Sequence, residues 1–500
     1  MKKILIFAVV LSLLVPAAAF AATEFSLGGY IKLDTYWDTT QQGKNINGVI
    51  ARDNDTNFHH GNFRMTAQGS RFNFTIKGPE VLGAKLTGFI EMDFDSCTDV
   101  GSVSNAPGGQ SASNSYVPRM RHAMFRLNWP GETELIFGQY WSMFCDWFPE
   151  VAEDGPFQLT GIPTARLPQI RFTQGFACDW KVAGLVGMPN GYSEFGTGGA
   201  LGGAATTGSS MNPYGTTTTS GGCAETPQIQ GQLKYAHDWW GKAAFYGNPI
   251  PFTASVTAGY QRLVMRNGGG FVTAPLAIAP VNASTTAAAL GPYGLGDYMA
   301  HTYLSPWMVQ GSFFIPIIPT HTNDLTGTAH LLVQPWIGQG VNQFGMTGDS
   351  TGVFKLAGYY PGTHGVALVD EELVKRFGLL AEAQYYFNNQ WFMNVAYGIT
   401  AAMSVNQNNV NVPGYGPIQQ MSYNNPYNQV RMVQQLDATL WYQPVKALKF
   451  GIQYSYLYEQ FVADAFPGTN GAYNEFTNTA GWSTNQAHEH RVEFVGFFFF

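Results

Sequence analysis

The residues of this chain that could do chemistry are charged side chains that alternate with apolar ones. Lys32 and Asp34, for example, stand among Ile31, Leu33 and Trp37. Successive side chains of a β-strand point to opposite sides of the sheet, so this pattern predicts one charged face and one apolar face. Charges gathered on one face can bind and orient polar solutes, and we look for that chemistry first.

Basic side chains outnumber acidic ones on this polar face. The early predicted strands carry seven bases in phase (Lys32, Arg64, Arg71, Lys77, Lys85, Arg126 and Arg171) against three acids (Asp34, Glu91 and Asp93). Arg119, Arg121 and Arg166 lie at strand ends, and the first two fall in the apolar phase unless a β-bulge intervenes. Pairing with carboxylates of the sheet is the structural alternative for each arginine.

The amino terminus has the features of a secretory signal peptide. Two lysines precede the apolar run from Ile4 to Val15, whose 12 residues fall short of the roughly 20 that a transmembrane helix needs. We expect a signal peptide over residues 1–21, cleavage after Ala21, and a mature chain over 22–500. A retained membrane anchor is the alternative.

Composition excludes several classes of protein. After the signal peptide no apolar stretch reaches 18 residues, which excludes a helical membrane protein, although 45% of the residues are hydrophobic and 15% are aromatic. Only 12% are charged and 58 are glycine, which favours an all-β chain with long loops. The formal net charge is −7, and −9 without the two leader lysines, so we expect no nucleic-acid partner.

Alternation over about ten residues, with short and long connections in turn, is typical of a transmembrane β-barrel. We expect an all-β, antiparallel barrel of about sixteen strands, with short periplasmic turns and long extracellular loops; fourteen or eighteen strands remain open. A bulge is expected near Gly69-Ser70, while Pro306 and Pro335 make two strands the least secure. The predicted strands span residues 25–37, 62–77, 85–94, 119–129, 134–144, 166–174, 180–188, 228–239, 252–266, 301–315, 328–340, 375–387, 391–402, 428–442, 448–461 and 487–500.

The carboxyl terminus carries a specific signal. Phe494, Phe498 and Phe500 share one face of the last predicted strand, and four consecutive phenylalanines end the chain. A lipid-facing aromatic residue at the last position is typical of outer-membrane barrels, and we expect the barrel-assembly machinery to recognise it. The alternative, a buried final strand of a soluble β-sandwich, leaves the four phenylalanines unexplained.

The connection after the fifth predicted strand, residues 145–167, is a candidate constriction loop, because sixteen-stranded porins fold this segment into the lumen. It carries four acids, Asp146, Glu150, Glu153 and Asp154. Acids in the loop, opposed by arginines on the wall, would create a transverse field at the narrowest point of a channel. An ordinary solvated loop is the alternative.

Four short segments resemble the DcaP-like outer-membrane porins. They are Gly28-Gly29-Tyr30-Ile31-Lys32-Leu33-Asp34, Lys77-Gly78-Pro79-Glu80, Arg121-His122-Ala123 and Gly138-Gln139-Tyr140-Trp141-Ser142. The resemblance covers residues 25–180, about a third of the chain. It implies a trimeric, sixteen-stranded porin for small anionic solutes such as dicarboxylates, and similar porins occur in metal-reducing bacteria. Several such proteins carry a coiled-coil-like segment before the barrel, whereas here the first strand follows the signal peptide almost at once.

The cysteines and histidines suggest no cofactor. The four cysteines lack the close pairing of a zinc site and no Cys-x-x-Cys-His motif for covalent haem occurs, so we expect neither metal nor cofactor. Cys97 with Cys145 is the first candidate disulfide in an oxidising periplasm, although the connectivity stays open. His488 and His490 share an outward face, where a rim or subunit contact is favoured over metal binding.

These observations favour a water-filled porin of the bacterial outer membrane, in contact with its lipid, trimeric, and passing small anionic solutes. Two other classes remain. A barrel enzyme is disfavoured because no Gly-x-Ser-x-Gly, phosphate-loop or His-Glu-x-x-His motif occurs, and we expect no enzymatic activity. A sheath around a multihaem cytochrome would favour a wider barrel without a constricting loop.

Overall fold

The chain runs back and forth between the two ends of one sheet. The computed structural model describes residues 23–40, 53, 59–95, 118–152, 159–188, 226–266, 301–346, 352–359, 366–373, 375–403, 409–412, 416–419, 430–461 and 486–500. The signal peptide expected over residues 1–21 and large parts of the long predicted loops lie outside these ranges. Within them, no helix is long and apolar enough to cross a membrane.

Sixteen strands, named β1 to β16 in chain order, form one closed antiparallel barrel, and the predicted strand number is confirmed. The second strand consists of two segments that both pair with the first. The strands are β1 Glu24–Asp38, β2 Asn62–Thr66 with Arg71–Val81, β3 Ala84–Asp93, β4 Arg119–Trp129, β5 Thr133–Trp141, β6 Arg166–Phe176, β7 Trp180–Gly187, β8 Gln228–His237, β9 Phe252–Tyr260, β10 Trp307–Ile318, β11 Ala329–Gln339, β12 Lys375–Tyr386, β13 Trp391–Ala402, β14 Val430–Val445, β15 Leu448–Phe461 and β16 Gln486–Phe499.

The seam between β1 and β16 closes the barrel. Tyr30 lies opposite Phe499, and Gly29 and Phe500 exchange two further backbone hydrogen bonds of 3.2 and 3.1 Å. Gly29 has a φ of +150°, and a Cβ there would collide with the carbonyl oxygen of Arg71 on β2, so β1 requires glycine at this point to pair with β2 on its other side. Closure leaves no unpaired sheet edge, which a lipid environment demands.

Side chains alternate between an apolar outer face and a mostly polar inner face. On β1, Phe25 and Ile31 are 71% and 58% exposed on the outside, whereas Lys32, Asp34 and Tyr36 point inward and are buried. The predicted phase of this strand is confirmed. Polar inward-facing residues are buried because parts of the chain fill the lumen beside them.

Two bulges set the direction of the arginines. β2 leaves the ladder between Thr66 and Arg71, where the sequence predicts a bulge. A second irregularity lies opposite Glu91 of β3, and it brings both Arg119 and Arg121 of β4 to the inner face. The residue that a bulge adds reverses the alternation from that point on. The conditional bulge of the sequence analysis is therefore present.

Two predicted strands are interrupted. The stretches 252–266 and 301–315 each leave the barrel early, and their outer pieces, Leu263–Arg266 and His301–Leu304, pair with each other as a separate hairpin. Pro306 lies in the second interruption, where its missing N–H would have broken the ladder. The prediction of uninterrupted strands is wrong there, whereas Pro335 remains within β11 on the outer face.

Short hairpins and a 3₁₀ helix lie in the connections between the barrel strands. The connection between β8 and β9, residues 238–251, contains a small hairpin, and its fourteen residues exceed the two to ten residues of the other connections at that end. The remaining short elements are the paired strands Gly352–Tyr359 with Val366–Leu373 and Asn409–Val412 with Gly416–Gln419, and the 3₁₀ helix Val341–Phe344.

Candidate functional site

The loop between β5 and β6 lies inside the barrel. Its described parts, residues 142–152 and 159–165, are almost wholly buried. A chain that leaves the sheet inside the lumen needs partners for its backbone polar groups, and amide side chains of the wall supply them. These bonds are Met143 N–H to Gln230 Oε1 (2.8 Å), Gln310 Nε2 to the Phe144 carbonyl (2.9 Å), Gln334 Nε2 to the Trp147 carbonyl (3.0 Å), Ala152 N–H to Gln453 Oε1 (2.7 Å) and Thr160 N–H to Gln435 Oε1 (3.1 Å).

Glu150 anchors the tip of this loop to β12–β15. Its N–H donates to Glu382 Oε1 at 2.9 Å, and its carbonyl accepts from Asn394 Nδ2 at 2.7 Å and from Trp441 Nε1 at 2.9 Å. Its buried carboxylate pairs with the ammonium group of Lys449. The charge of Glu150 is therefore compensated where it stands, by a lysine of β15.

The loop also packs on an apolar part of the wall. Leu159 joins Leu380 of β12 and Ala396 of β13 in a buried cluster. The contact is so close that a Cβ at Gly398 of β13 would come 1.8 Å from the Thr160 carbonyl oxygen. The loop backbone thus lies directly on β13, which stands opposite β4–β6 in the strand order of the barrel.

Arginines face the lumen from that opposite side, on β2 and β4. Arg121 donates to Glu91 at 2.8 Å and to Asp93 at 2.6 Å, Arg119 pairs with Asp93 at 2.7 Å, and Arg71 lies 3.7 Å from Glu91. The structural alternative, pairing with carboxylates of the sheet, therefore holds for these three arginines. The pairs fix the guanidinium groups in place on the wall.

Arg166 and Arg171 of β6 contact aromatic rings instead of carboxylates. Within the part of the chain that the structure describes, no carboxylate lies at ion-pair distance from either guanidinium group. Arg166 lies 5.0 Å from the ring centre of Trp141, and Arg171 lies 5.1 Å from that of Tyr140. An aromatic face orients a guanidinium group without neutralising it, so among the described residues neither charge is cancelled by an ion pair.

The other bases proposed to line a channel are dispersed. Lys32 is buried, pairs with Asp34 at 2.7 Å and donates to the Ala152 carbonyl at 2.9 Å, so it supports the loop. Lys85 lies exposed at the turn end of β3, six positions and about 20 Å along the strand from Glu91. Two more are paired, Arg64 with Asp38 at 3.0 Å and Arg126 with Glu134 at 3.6 Å.

Two acids of the loop pair with lysines of the wall. Asp146 pairs with Lys234 of β8 at 2.7 Å and accepts a hydrogen bond from Ser255 at 2.6 Å. Asp146 and Glu150 thus pair with lysines and not with wall arginines, while Glu153 and Asp154 lie outside the described residues. Both lysines stand in the polar phase of their strands, a signal that an inspection of later strands would have found.

The hairpin between β8 and β9 was also missed. It enters the lumen from the turn end and meets the loop, since the Tyr246 hydroxyl donates to the Pro149 carbonyl at 3.1 Å. Its neighbour Phe245 contacts Trp147 edge to face, with 5.0 Å between ring centres. The available signal was a connection of unusual length with an apolar tip on the side where turns are short.

The remaining sequence candidates lie away from the lumen opening or within the loop. Phe494, Phe498 and Phe500 are 49%, 46% and 49% exposed on the outer face. The Cys145 thiol donates to the Pro163 carbonyl at 3.1 Å, and burial raises the pKa of that thiol above its ordinary value. Its proposed disulfide partner at position 97 lies outside the described residues.

The histidines of β16 contact neighbouring side chains. His488 pairs with Asp53 at 2.7 Å, and His490 lies 2.7 Å from the Tyr454 hydroxyl. Within the described ranges, no three His, Cys, Asp or Glu side chains are grouped as a metal site would require. These contacts fit the rim position that the sequence analysis favoured.

Comparison with known proteins identifies the fold of this chain. No protein-family model and no curated protein sequence matches the chain. The outer membrane channel DcaP of Acinetobacter baumannii is similar in structure, with a TM-score of 0.58 and 15% identity over 96% of this chain and 98% of that chain. Lower scores are found for an anion-selective porin from Comamonas acidovorans (0.45, 10% identity, 96% and 100% covered) and for Salmonella typhi OmpF in complex with daunomycin (0.41, 11%, 95% and 97%). The chain therefore has the fold of an outer-membrane porin, which it shares with DcaP over nearly its whole length.

Proposed function

We propose that this protein is an outer-membrane diffusion channel for small hydrophilic anions, dicarboxylates among them. The observation that carries the proposal is the pair Arg166 and Arg171, which face the lumen and have no carboxylate partner among the described residues. A solute that carries two carboxylates can engage guanidinium groups that the sheet has not already neutralised.

The ion pairs formed by the loop acids support the proposed preference for anions. Glu150 is paired with Lys449 of β15, and Asp146, which is near enough to Arg171 to act on its charge, is paired with Lys234 of β8. They are thereby compensated locally, and their field at the arginine wall is weakened. The net charge of −7 has little influence, because salt screens exposed charges beyond about 8–10 Å, whereas a narrow passage holds solute and wall closer than that.

The contents of the lumen support a channel over a sheath for a multihaem protein. A sheath needs a wide, empty barrel, whereas here the loop and the hairpin both occupy the lumen of a sixteen-stranded one. We further propose export by a cleaved signal peptide, insertion guided by the outward-facing Phe494, Phe498 and Phe500, and a homotrimer embedded in outer-membrane lipid. Native mass measurement tests the trimer directly.

Planar bilayer recording tests the function. We expect stable open-channel current, transiently blocked by succinate more strongly than by acetate at equal concentration. The double variant R166Q/R171Q should lose that difference, whereas K77Q, in which an exposed pair with Glu24 at the turn end is removed, should keep it. A channel that shows no preference for the dicarboxylate, or one whose preference survives in R166Q/R171Q, would contradict the proposal.

A further inference from the structure

The hairpin in the connection 238–251 is held rigidly inside the barrel. Its strands are Ala243–Phe245 and Asn248–Ile250, and Ala243 and Ala244 are fully buried. His330 of β11 lies with Nδ1 2.7 Å from the Ala244 carbonyl, which it can only approach as a donor. The base of the hairpin is fixed as well, since Lys242 and Thr320 exchange backbone hydrogen bonds of 2.9 and 2.7 Å.

Aromatic packing joins the hairpin to the constriction loop. Phe245 contacts Trp147 of the loop and Phe314 of β10, with ring centres 5.0 and 5.6 Å apart. Trp147 stacks in turn on Phe314 at 5.3 Å. The hairpin and the loop, which enter the lumen from opposite ends, therefore share one apolar core and support each other.

Tyr246 stands at the tip of the hairpin, where the turn is tight. Its φ is +47° and that of Gly247 is +71°, the conformation of a two-residue turn that matches the twist of a hairpin. Tyr246 is 40% exposed, and its hydroxyl donates to the Pro149 carbonyl of the loop, so the exposed part of this residue lies beside the loop inside the barrel. A non-glycine residue in this left-handed conformation is held there by its surroundings.

The charged groups around Tyr246 show which space it occupies. Its hydroxyl donates to the Pro149 carbonyl at 3.1 Å, and the Lys449 ammonium group lies 5.8 Å from its ring centre. Glu150 at the loop tip and Arg71 of β2 are both near enough to act electrostatically on its hydroxyl. Tyr246 therefore stands beside the loop tip and within electrostatic range of the arginine wall, where the proposed channel would pass a solute.

We infer that the 238–251 hairpin is a second constricting element, in which Tyr246 sets the size limit of the passage between the loop tip and the arginine wall. This inference rests on the proposed channel function and adds a specificity-determining residue to it. Tyr246 carries no charge of its own, so its effect falls on solute size and on conductance, whereas the arginines determine the sign of the solute.

Single-channel conductance and liposome swelling with neutral sugars of increasing size test the inference in the full-length protein. We expect Y246A to raise the conductance roughly twofold and to admit larger sugars, because it removes a ring from the narrowest point. Y246F keeps the ring and should keep the sugar cut-off. K181Q is the control, since Lys181 of β7 is exposed and pairs with Glu132 at the turn end, outside the hairpin.

A cysteine variant covers the case in which Y246A fails to assemble. In a background with all native cysteines replaced by serine, Y246C should lose current stepwise when methanethiosulfonate reagents of increasing bulk are added. Unchanged current after verified modification, or a Y246A channel with the conductance and cut-off of wild type, would overturn the inference. A wild-type protein that never conducts would instead contradict the proposed function.

Discussion

The two halves of the lumen wall use the same alternation of side chains for opposite purposes. On β10–β14 the inward residues include Phe314, Trp336 and Leu380, which are buried under the loop, together with glutamines that bond its backbone. On β2–β6 the inward residues include Arg71, Arg121 and Arg171, and the described loop reaches this half through Phe148, whose ring centre lies 5.1 Å from that of Trp141. One half carries the loop backbone, and the other half carries the arginines.

The difference shows how a barrel positions a loop without a second domain. The apolar patch gives the loop a surface to bury, and amide side chains satisfy the backbone groups that burial removes from water. Guanidinium groups offer neither, because burying them without carboxylates would cost several kcal/mol each. The composition of the wall therefore decides on which side the loop packs and on which side the channel remains.

The largest change is expected from breaking the contact at β13. Any Cβ at Gly398 collides with the Thr160 carbonyl oxygen, so G398V should push the loop off the wall and raise single-channel conductance several-fold. G231A is the matched control, since a Cβ there meets nothing within 4 Å. Wild-type conductance in an assembled G398V barrel would show that the loop does not limit the passage.

Removing the ammonium group of Lys449, which pairs with Glu150 at the tip of the loop, should have the next largest effect. K449M leaves the buried carboxylate of Glu150 uncompensated, which costs about 3–5 kcal/mol and should release the tip. We expect higher conductance with a shift toward cations, because a freed carboxylate would face the lumen. The double variant E150Q/K449M, which removes both charges, should recover the wild-type selectivity, and failure to recover would exclude the pair as the cause.

Replacing Lys234, the partner of Asp146, should have a smaller effect of the same kind. In K234M the carboxylate of Asp146 keeps its hydrogen bond from Ser255, and water can reach the site because the side chain of Lys234 is 27% exposed. The cost should be about 1 kcal/mol, and conductance should rise less than in K449M. A larger effect in K234M than in K449M would reverse the proposed order of anchors.

Labelling of the Cys145 thiol tests whether the loop stays closed, and we expect no labelling of the native barrel. The Cys145 thiol is buried and bonded to the Pro163 carbonyl, and burial raises its pKa, so at pH 8 little thiolate forms. With the other three cysteines replaced by serine, maleimide should leave the native barrel unlabelled and should label G398V, in which the loop is displaced. Rapid labelling of the barrel without that substitution would indicate a loop that is open to solvent.

Local alternation was sufficient to predict the strands, because every barrel strand must point one face to lipid and the other inward. It located all sixteen, but it put Arg119 and Arg121 in the apolar phase and left their turn to the inner face conditional on a bulge, which the structure contains. It could not identify Lys234 and Lys449 as the partners of the loop acids, because those contacts cross the barrel between residues far apart in sequence.

The hairpin between β8 and β9 escaped prediction for a related reason. A stretch such as Ala243–Phe245 is apolar in the same way as a membrane strand, and only its three-dimensional neighbours show that it folds inward. The interruption at Pro306 was foreseen as a weak point, but its result, a separate hairpin above the barrel, depends on a partner strand some forty residues earlier.

The central claim is that the open half of the wall carries uncompensated positive charge, and reversal potential measures this most directly. In a tenfold potassium chloride gradient, the wild-type channel should give a potential of the sign that chloride preference requires. R166Q/R171Q should move it toward zero, while R126Q, whose partner Glu134 lies 3.6 Å away, should move it less. A cation-selective potential in the wild type that stays unchanged in R166Q/R171Q would contradict the account.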